Sequence, residues 1–200
     1  MGHHNMDHIG IVEGFAKLDV HRSERTGIPE AILAEGKTHD QVVEALRRMA
    51  EASGVALATR VSEECAVAIK RGLGKKLQIE RNVLGRTVIV RKKGVATPRS
   101  GGKIAILAAG TSDIPTAEEA RVTAEVMGCQ VLAHYDVGIA GIHRLLEPLR
   151  DVLSNDVSAI VVVAGMEGAL PSVVRGLVGV PVIGVPTSTG YGYGGQGQAA

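Results

Sequence analysis

The sequence predicts an α/β protein: a three-layer domain built on a parallel sheet over residues 103–200, preceded by a small α+β domain over residues 16–96. Three observations carry this expectation. From Lys103 onward, short apolar runs alternate strictly with amphipathic stretches of about a dozen residues, the pattern of right-handed βα crossovers. The strand segments KIAILAA and AIVVVA are almost continuously apolar, as strands covered on both faces must be. Upstream of residue 96, helical and strand periods mix without that alternation.

Each element follows from local pattern. Residues 1–15, which include His3, His4 and His8, read as a short disordered leader or tag remnant rather than a metal site. GKTHDQVVEALRRMAEASG places Val42, Val43, Leu46, Met49 and Ala50 at helical spacing, with Thr38 or Asp40 near the start and Gly54 as a stop. ALATRV reads as a strand. Ser62 is expected to cap a second helix through Ala66, Ile69 and Leu73, ended by Gly72 and Gly74. LQIERN and TVIVRK form two β segments around Leu84-Gly85, and GVATPRSGG is the expected linker. Beyond it come KIAILAA, TAEEARVTAEVMG, QVLAHYD, GIHRLLEPLRDVL, AIVVVA, LPSVVRGLVG and PVIGVP, four strands with three helices between them.

In such sheets ligands bind at the carboxyl ends of the strands, where the strand order reverses. Those ends read Gly110-Thr111-Ser112-Asp113, Tyr135-Asp136, Gly165-Met166-Glu167-Gly168 and Pro186-Thr187-Ser188-Thr189-Gly190. Gly110 admits close approach of a ligand to the backbone, Thr111 and Ser112 offer hydroxyls and amides, and Asp113 offers an acceptor, a magnesium ligand or a cap for a helix starting near Pro115. After Val185 the chain reads TSTGYGYGGQGQAA, with no helix to cover the last strand. The expectation is a chain that continues into a helix near Gln198, the alternative being cover from a neighbouring subunit.

Composition bounds the function. The chain of 200 residues is 45% apolar with a net charge of +1, yet residues 1–103 hold 18 Lys/Arg against 12 Asp/Glu and residues 104–200 hold 4 against 9. One Phe, three Tyr and no Trp leave little with which to stack bases, so nucleic acid is not an expected partner. No apolar run reaches the roughly 20 residues of a membrane span, and no membrane partner is expected. Cys65 and Cys129 stand far apart without metal-ligand spacing and read as small buried hydrophobes. A cytoplasmic location is the expectation.

Together these motifs resemble a known family. GTSDIP at 110–115, AGMEGALP at 164–171 and PVIGVPTS at 181–188 are similar to the PurE-type domain of aminoimidazole ribonucleotide carboxylases, a flavodoxin-like three-layer fold. The resemblance to the LarB branch is closer, because LDVHRSERTGIPEAILAEGKT at 18–38, LATRV at 57–61, YDVGIAGIHRLL at 135–146 and STGYG at 188–192 also match it. The resemblance implies a synthase that takes nicotinic acid adenine dinucleotide and CO2 (or bicarbonate), carboxylates the pyridinium ring at C5 and hydrolyses the phosphoanhydride to release AMP. This is the first step towards the nickel-pincer cofactor of lactate racemase, and no organic cofactor is retained.

It further implies roles for particular residues. Glu167, His143 and Asp113 would be catalytic, the alternative for Glu167 being a charge partner of the helix N-terminus that follows it. Gly110, Thr111, Ser112, Asp136, Arg144, Gly165, Met166, Thr187, Ser188 and Gly190 would bind substrate, and Asp113 with Glu167 would hold Mg2+. His143 and Arg144 resemble the histidine-arginine pair of PurE carboxylases, displaced by DVGIAG; a surface histidine explains His143 equally well. Arg22, Arg25 and Lys37 fall in the family's N-terminal motif, where ordinary salt bridges explain them too. The family's nucleophilic cysteine matches neither Cys65 nor Cys129 and would lie past Ala200, so the chain is expected to lack carboxylation activity. The resemblance implies a homo-oligomer, an octamer in PurE-like proteins. Two alternatives stay open: a PurE-type aminoimidazole ribonucleotide carboxylase, and a non-catalytic nucleotide-binding or assembly module.

Overall fold

The computed structural model describes residues 9–12, 16–96 and 102–188. Contacts divide the chain into two compact units, Met1–Pro98 and Arg99–Ala200.

The first unit opens with strands β1 (Ile9–Val12) and β2 (Ala16–Asp19), paired antiparallel with Val12 opposite Ala16. The segment expected to be a leader therefore contains a strand, because a connection of three residues suffices to fold IGIV back on AKLD. The histidines at positions 3, 4 and 8 lie outside the described residues. A five-residue helix α1 (Arg22–Thr26) ends at Gly27 in the left-handed conformation, followed by β3 (Ala31–Leu33). Helix α2 (His39–Ser53) begins with a full capping box: the Thr38 hydroxyl accepts from the Gln41 N–H, and the Gln41 side chain accepts from the Thr38 N–H. Strand β4 (Val55–Thr59) and helix α3 (Glu63–Leu73), capped by Ser62 through the Cys65 N–H at 3.1 Å, come next. Strands β5 (Leu77–Asn82) and β6 (Thr87–Lys92) close the sheet in the order β3-β4-β6-β5, with only β3 and β4 parallel.

Helices α2 and α3 cover one face of this mixed sheet, burying Leu46, Met49 and Ile69 against Ala56, Ala58, Val88 and Val90. Gly72, expected to stop α3, lies inside it. A Cβ there would sit 2.6 Å from Cγ1 of Val43, so close packing of α3 on α2, not termination, explains this glycine.

The second unit runs β7 (Lys103–Ala108), α4 (Ile114–Val126), β8 (Gln130–His134), α5 (His143–Ser154), β9 (Ala159–Ala164), α6 (Ala169–Leu177) and β10 (Val182–Pro186). All pairings are parallel and the order is β10-β9-β7-β8, the flavodoxin-like arrangement the resemblance implies. Alternate residues of each strand point to opposite faces. Ala105, Leu107, Ile160 and Val162 pack under α5 and α6 through Leu145, Leu149, Leu170 and Val174, while Ile106, Ala108 and Val163 pack with Ala117 of α4. The result is three layers. The chain steps from β7 outward to β8 and then returns past β7 to β9, so the strand order reverses between β7 and β9 and a crevice opens at their carboxyl ends.

Core burial predicts a contrast within the first unit. Leu46 is fully buried and Val67 is 61% exposed, so Leu46→Ala should lower unfolding free energy by about 2–5 kcal/mol and Val67→Ala by under about 0.5 kcal/mol. Denaturant titration of the two variants checks this.

Candidate active site

The turn after β7 is fixed by one buried carboxylate. Gly110 leads into a tight turn over Thr111–Asp113 before α4, with Pro115 in the first turn of that helix, where its missing N–H costs nothing. Asp113 is only 4% exposed, and a carboxylate at that depth requires partners for both oxygens. Its Oδ2 accepts the Gly110 N–H at 2.9 Å and its Oδ1 accepts the hydroxyl of Thr187 at 2.6 Å. Thr187 itself is buried just past β10, and its N–H donates to the Ala164 carbonyl at the end of β9. One side chain thus ties the first strand's turn to the ends of the last two.

The loop between β8 and α5 contributes an ion pair. Asp136 adopts φ +59°, a left-handed conformation that aspartate tolerates, and its Oδ2 lies 2.5 Å from Nη1 of Arg144. The loop is pressed onto β7: the Val137 N–H donates to the Ala108 carbonyl at 3.0 Å, and a Cβ at Gly138 would fall 2.7 Å from the carbonyl oxygen of Ala109. Only glycine fits there without displacing backbone. Arg144 lies in the first turn of α5.

The loop between β9 and α6 is a turn closed by the Gly168 N–H on the Gly165 carbonyl at 3.0 Å. Gly168 takes φ +64° at the start of α6, and Met166 takes φ +53°, which disfavours a methionine by about 1 kcal/mol relative to glycine. Glu167 is exposed at the tip.

These three loops enclose a cleft of about 510 Å³. Of the residues expected to act, Gly110, Ser112, Asp113, Asp136, Arg144, Gly165, Met166 and Glu167 line it. Thr111, His143 and Ser188 are exposed and are not among its walls, and the Thr187 hydroxyl is given to Asp113. Gly190 lies outside the described residues. Asp113, with both oxygens accepting hydrogen bonds, shapes the turn, and Glu167 is the exposed carboxylate on the lining; among the described residues no group of three or more carboxylates, histidines or cysteines gathers to hold a metal ion. Sequence reasoning missed the apolar walls, Gly138, Ile139, Ala140 and Leu170, although the paired glycines of DVGIAG were a signal of close backbone approach.

It also missed the support behind the cleft. On the α4 face, Glu118 is buried and accepts the Tyr135 hydroxyl together with a two-pronged contact from Arg121 at 2.7 and 2.8 Å; Arg121 also reaches Glu125 at 2.6 Å. Burial, then the hydrogen bond to Glu118, push the Tyr135 phenol up to about 12. On the other face His134 Nε2 meets Asp151 Oδ2 at 3.0 Å, joining β8 to α5. Neither cysteine is in the described lining. Cys65 is buried in the first unit's core, where burial raises its thiol pKa, and Cys129 precedes β8 at the opposite end of the sheet.

The crevice lies at a strand-order reversal, is walled by glycine turns and has Arg144 and Glu167 on its lining, and the family match of this domain puts it in the carboxylase-type PurE-like class. Residues 103–196 match the AIR carboxylase family model, and residues 11–92 match that of the LarB/PurE-like N-terminal domain. The chain is 47% identical over 183 residues to "Uncharacterized protein MJ0165" of Methanocaldococcus jannaschii, a match covering 90% of this chain and 71% of that protein. The chain belongs to the LarB/PurE-like family.

Two outcomes test this geometry. Asp113→Ala strands the Gly110 N–H and the Thr187 hydroxyl and should lower stability by about 2–4 kcal/mol in denaturant titration, with Asp113→Asn costing less. The raised Tyr135 pKa means the fold favours the neutral phenol. Its contribution is complete below pH 10, the ordinary value, and is lost as pH rises towards about 12. Tyrosinate absorbance of the wild type minus that of Tyr135→Phe should show a midpoint near 12; a midpoint at the ordinary value would refute the buried network.

Proposed function

We propose that this chain supplies the substrate cleft of a LarB-type synthase, which carboxylates the pyridinium ring of nicotinic acid adenine dinucleotide at C5 with CO2 and hydrolyses the phosphoanhydride to release AMP. The observation that carries the reading is the convergence of Arg144 and Glu167 on one cleft in a chain that also has the LarB-type N-terminal domain, a domain outside the PurE-like fold. Arg144 offers a cationic fork to a carboxylate or phosphate, exchanging Asp136 for the ligand. Glu167 stands where it can accept a proton released from the ring or from an attacking water.

Pyridinium C5 is electron-poor and does not attack CO2 directly. A nucleophile must first add to the ring; the resulting enamine then forms the C5–CO2 bond, and loss of the C5 proton with departure of the nucleophile restores aromaticity. In the family a cysteine thiolate does this. Cys65 is buried in the core of the first unit and Cys129 precedes β8, at the end of the sheet away from the cleft, so neither is assigned as the nucleophile, and the role proposed for the cleft is to bind the dinucleotide. A cytoplasmic homo-oligomer is part of the same reading.

Calorimetric titration with nicotinic acid adenine dinucleotide, combined with incorporation of labelled bicarbonate, tests it. Binding should weaken about tenfold in Arg144→Met, and no labelled pyridine dicarboxylate should form from the chain alone. A carboxylated product from the wild-type chain would overturn the missing-nucleophile assignment. Turnover of carboxyaminoimidazole ribonucleotide, with no affinity for the dinucleotide, would replace the reading with that of a PurE-type carboxylase.

A further inference from the structure

Among the described residues, Arg60, Arg86, Asp136, Asp156 and Met166 are the non-glycine residues with positive φ. Aspartate adopts this conformation readily, whereas the other types do so at a cost. Of Arg60, Arg86 and Met166, only Met166 lines the cleft. Its place in the turn does not require a side chain, since a glycine would hold the same backbone without strain. Nor does core packing explain it, because Met166 is 48% exposed. What the residue adds is an unbranched, polarisable thioether on the cleft wall.

The chemistry of the wall makes that addition meaningful. Among the described residues the lining contains no aromatic side chain, and its remaining apolar members are Ile139, Leu170 and alanines. A flat ring entering this space can pack on the Arg144 guanidinium, which is paired with Asp136, or on Met166, the large hydrophobic residue of the described lining that is exposed. Thioethers make favourable contacts with aromatic rings, and a flexible side chain adapts to either face or edge.

We propose that Met166 is the ring platform of the cleft: it is held in the left-handed conformation so that its thioether packs against a planar nitrogen heteroaromatic ring of the ligand. The proposal rests on reading the cleft as a nucleotide site and adds the group that recognises the ring. Both pyridine and purine rings have the required chemistry, and the experiment separates them.

The 200-residue chain has five methionines, so methyl-13C-methionine NMR resolves the site directly, with the Met166 signal assigned by its loss in Met166→Leu. Nicotinic acid mononucleotide and AMP are titrated separately. The Met166 methyl should move upfield, by ring current, with the nucleotide whose ring it contacts. Met166→Gly should bind that nucleotide about three- to tenfold more weakly, while its thermal midpoint stays unchanged or rises by about 4 °C as backbone strain is relieved. A structural methionine would give the opposite stability change. If a nucleotide binds but the Met166 methyl does not move, or Met166→Gly binds it equally well, the platform is refuted and the nucleotide site stands. If neither nucleotide binds the wild type, the nucleotide reading falls and the platform with it.

Discussion

The cleft depends on the burial of one negative charge. A carboxylate at 4% exposure needs a hydrogen-bond donor at each oxygen, and Asp113 meets that need by drawing the Gly110 amide from one side and the Thr187 hydroxyl from the other. The need to satisfy the charge therefore becomes a geometric constraint: the turn after β7 and the end of β10 sit at a fixed separation, with β9 held between them through the Thr187 amide. Were the same residue at the surface, water would serve both oxygens and the strand ends would be free to splay.

The remaining walls are set by close approach. Gly138 brings the loop after β8 into contact with the Ala109 carbonyl, and the same loop carries Asp136 and Arg144 to the rim. The buried Glu118 behind β8, held by Tyr135 and Arg121, stiffens the strand from the opposite face. A polar network with its partners in place holds a single arrangement more firmly than apolar contacts alone. The cleft is thus braced on both sides of the sheet, while Glu167 and Met166 remain exposed at the tip of a turn that only its own backbone closes.

What could be read from sequence was what is local. Thr38 and Ser62 as caps, the alternation of strands and helices and the acid-and-glycine-rich strand ends are all encoded within a few residues of where they act. The Asp113–Thr187 bond spans 74 residues, and nothing near either residue announces the other; from sequence Asp113 reads as an acceptor, a cap or a metal ligand, and the tie to Thr187 is not a thing local pattern can show. Gly72 illustrates the same limit, since a glycine near a helix end and a glycine demanded by a neighbouring helix look alike until Val43 is in place. Asp136 and Arg144 are each singled out by the sequence and both line the cleft, but their pairing follows from a left-handed aspartate that no short motif specifies. Strand β1 was hidden by its polar, histidine-rich surroundings.

The exposure of Met166 has a further consequence. A thioether that half faces solvent at the mouth of a cleft is the kind of sulfur that peroxide reaches first, and conversion to the sulfoxide replaces an apolar, polarisable contact with a polar, chiral one. The lesion would fall on the wall of the cleft rather than in the core, leaving the fold intact while changing what the cleft accepts. Because methionine sulfoxide is enzymatically reducible, the side chain that lines the cleft would also make its occupancy responsive to oxidant exposure, reversibly and without any cysteine.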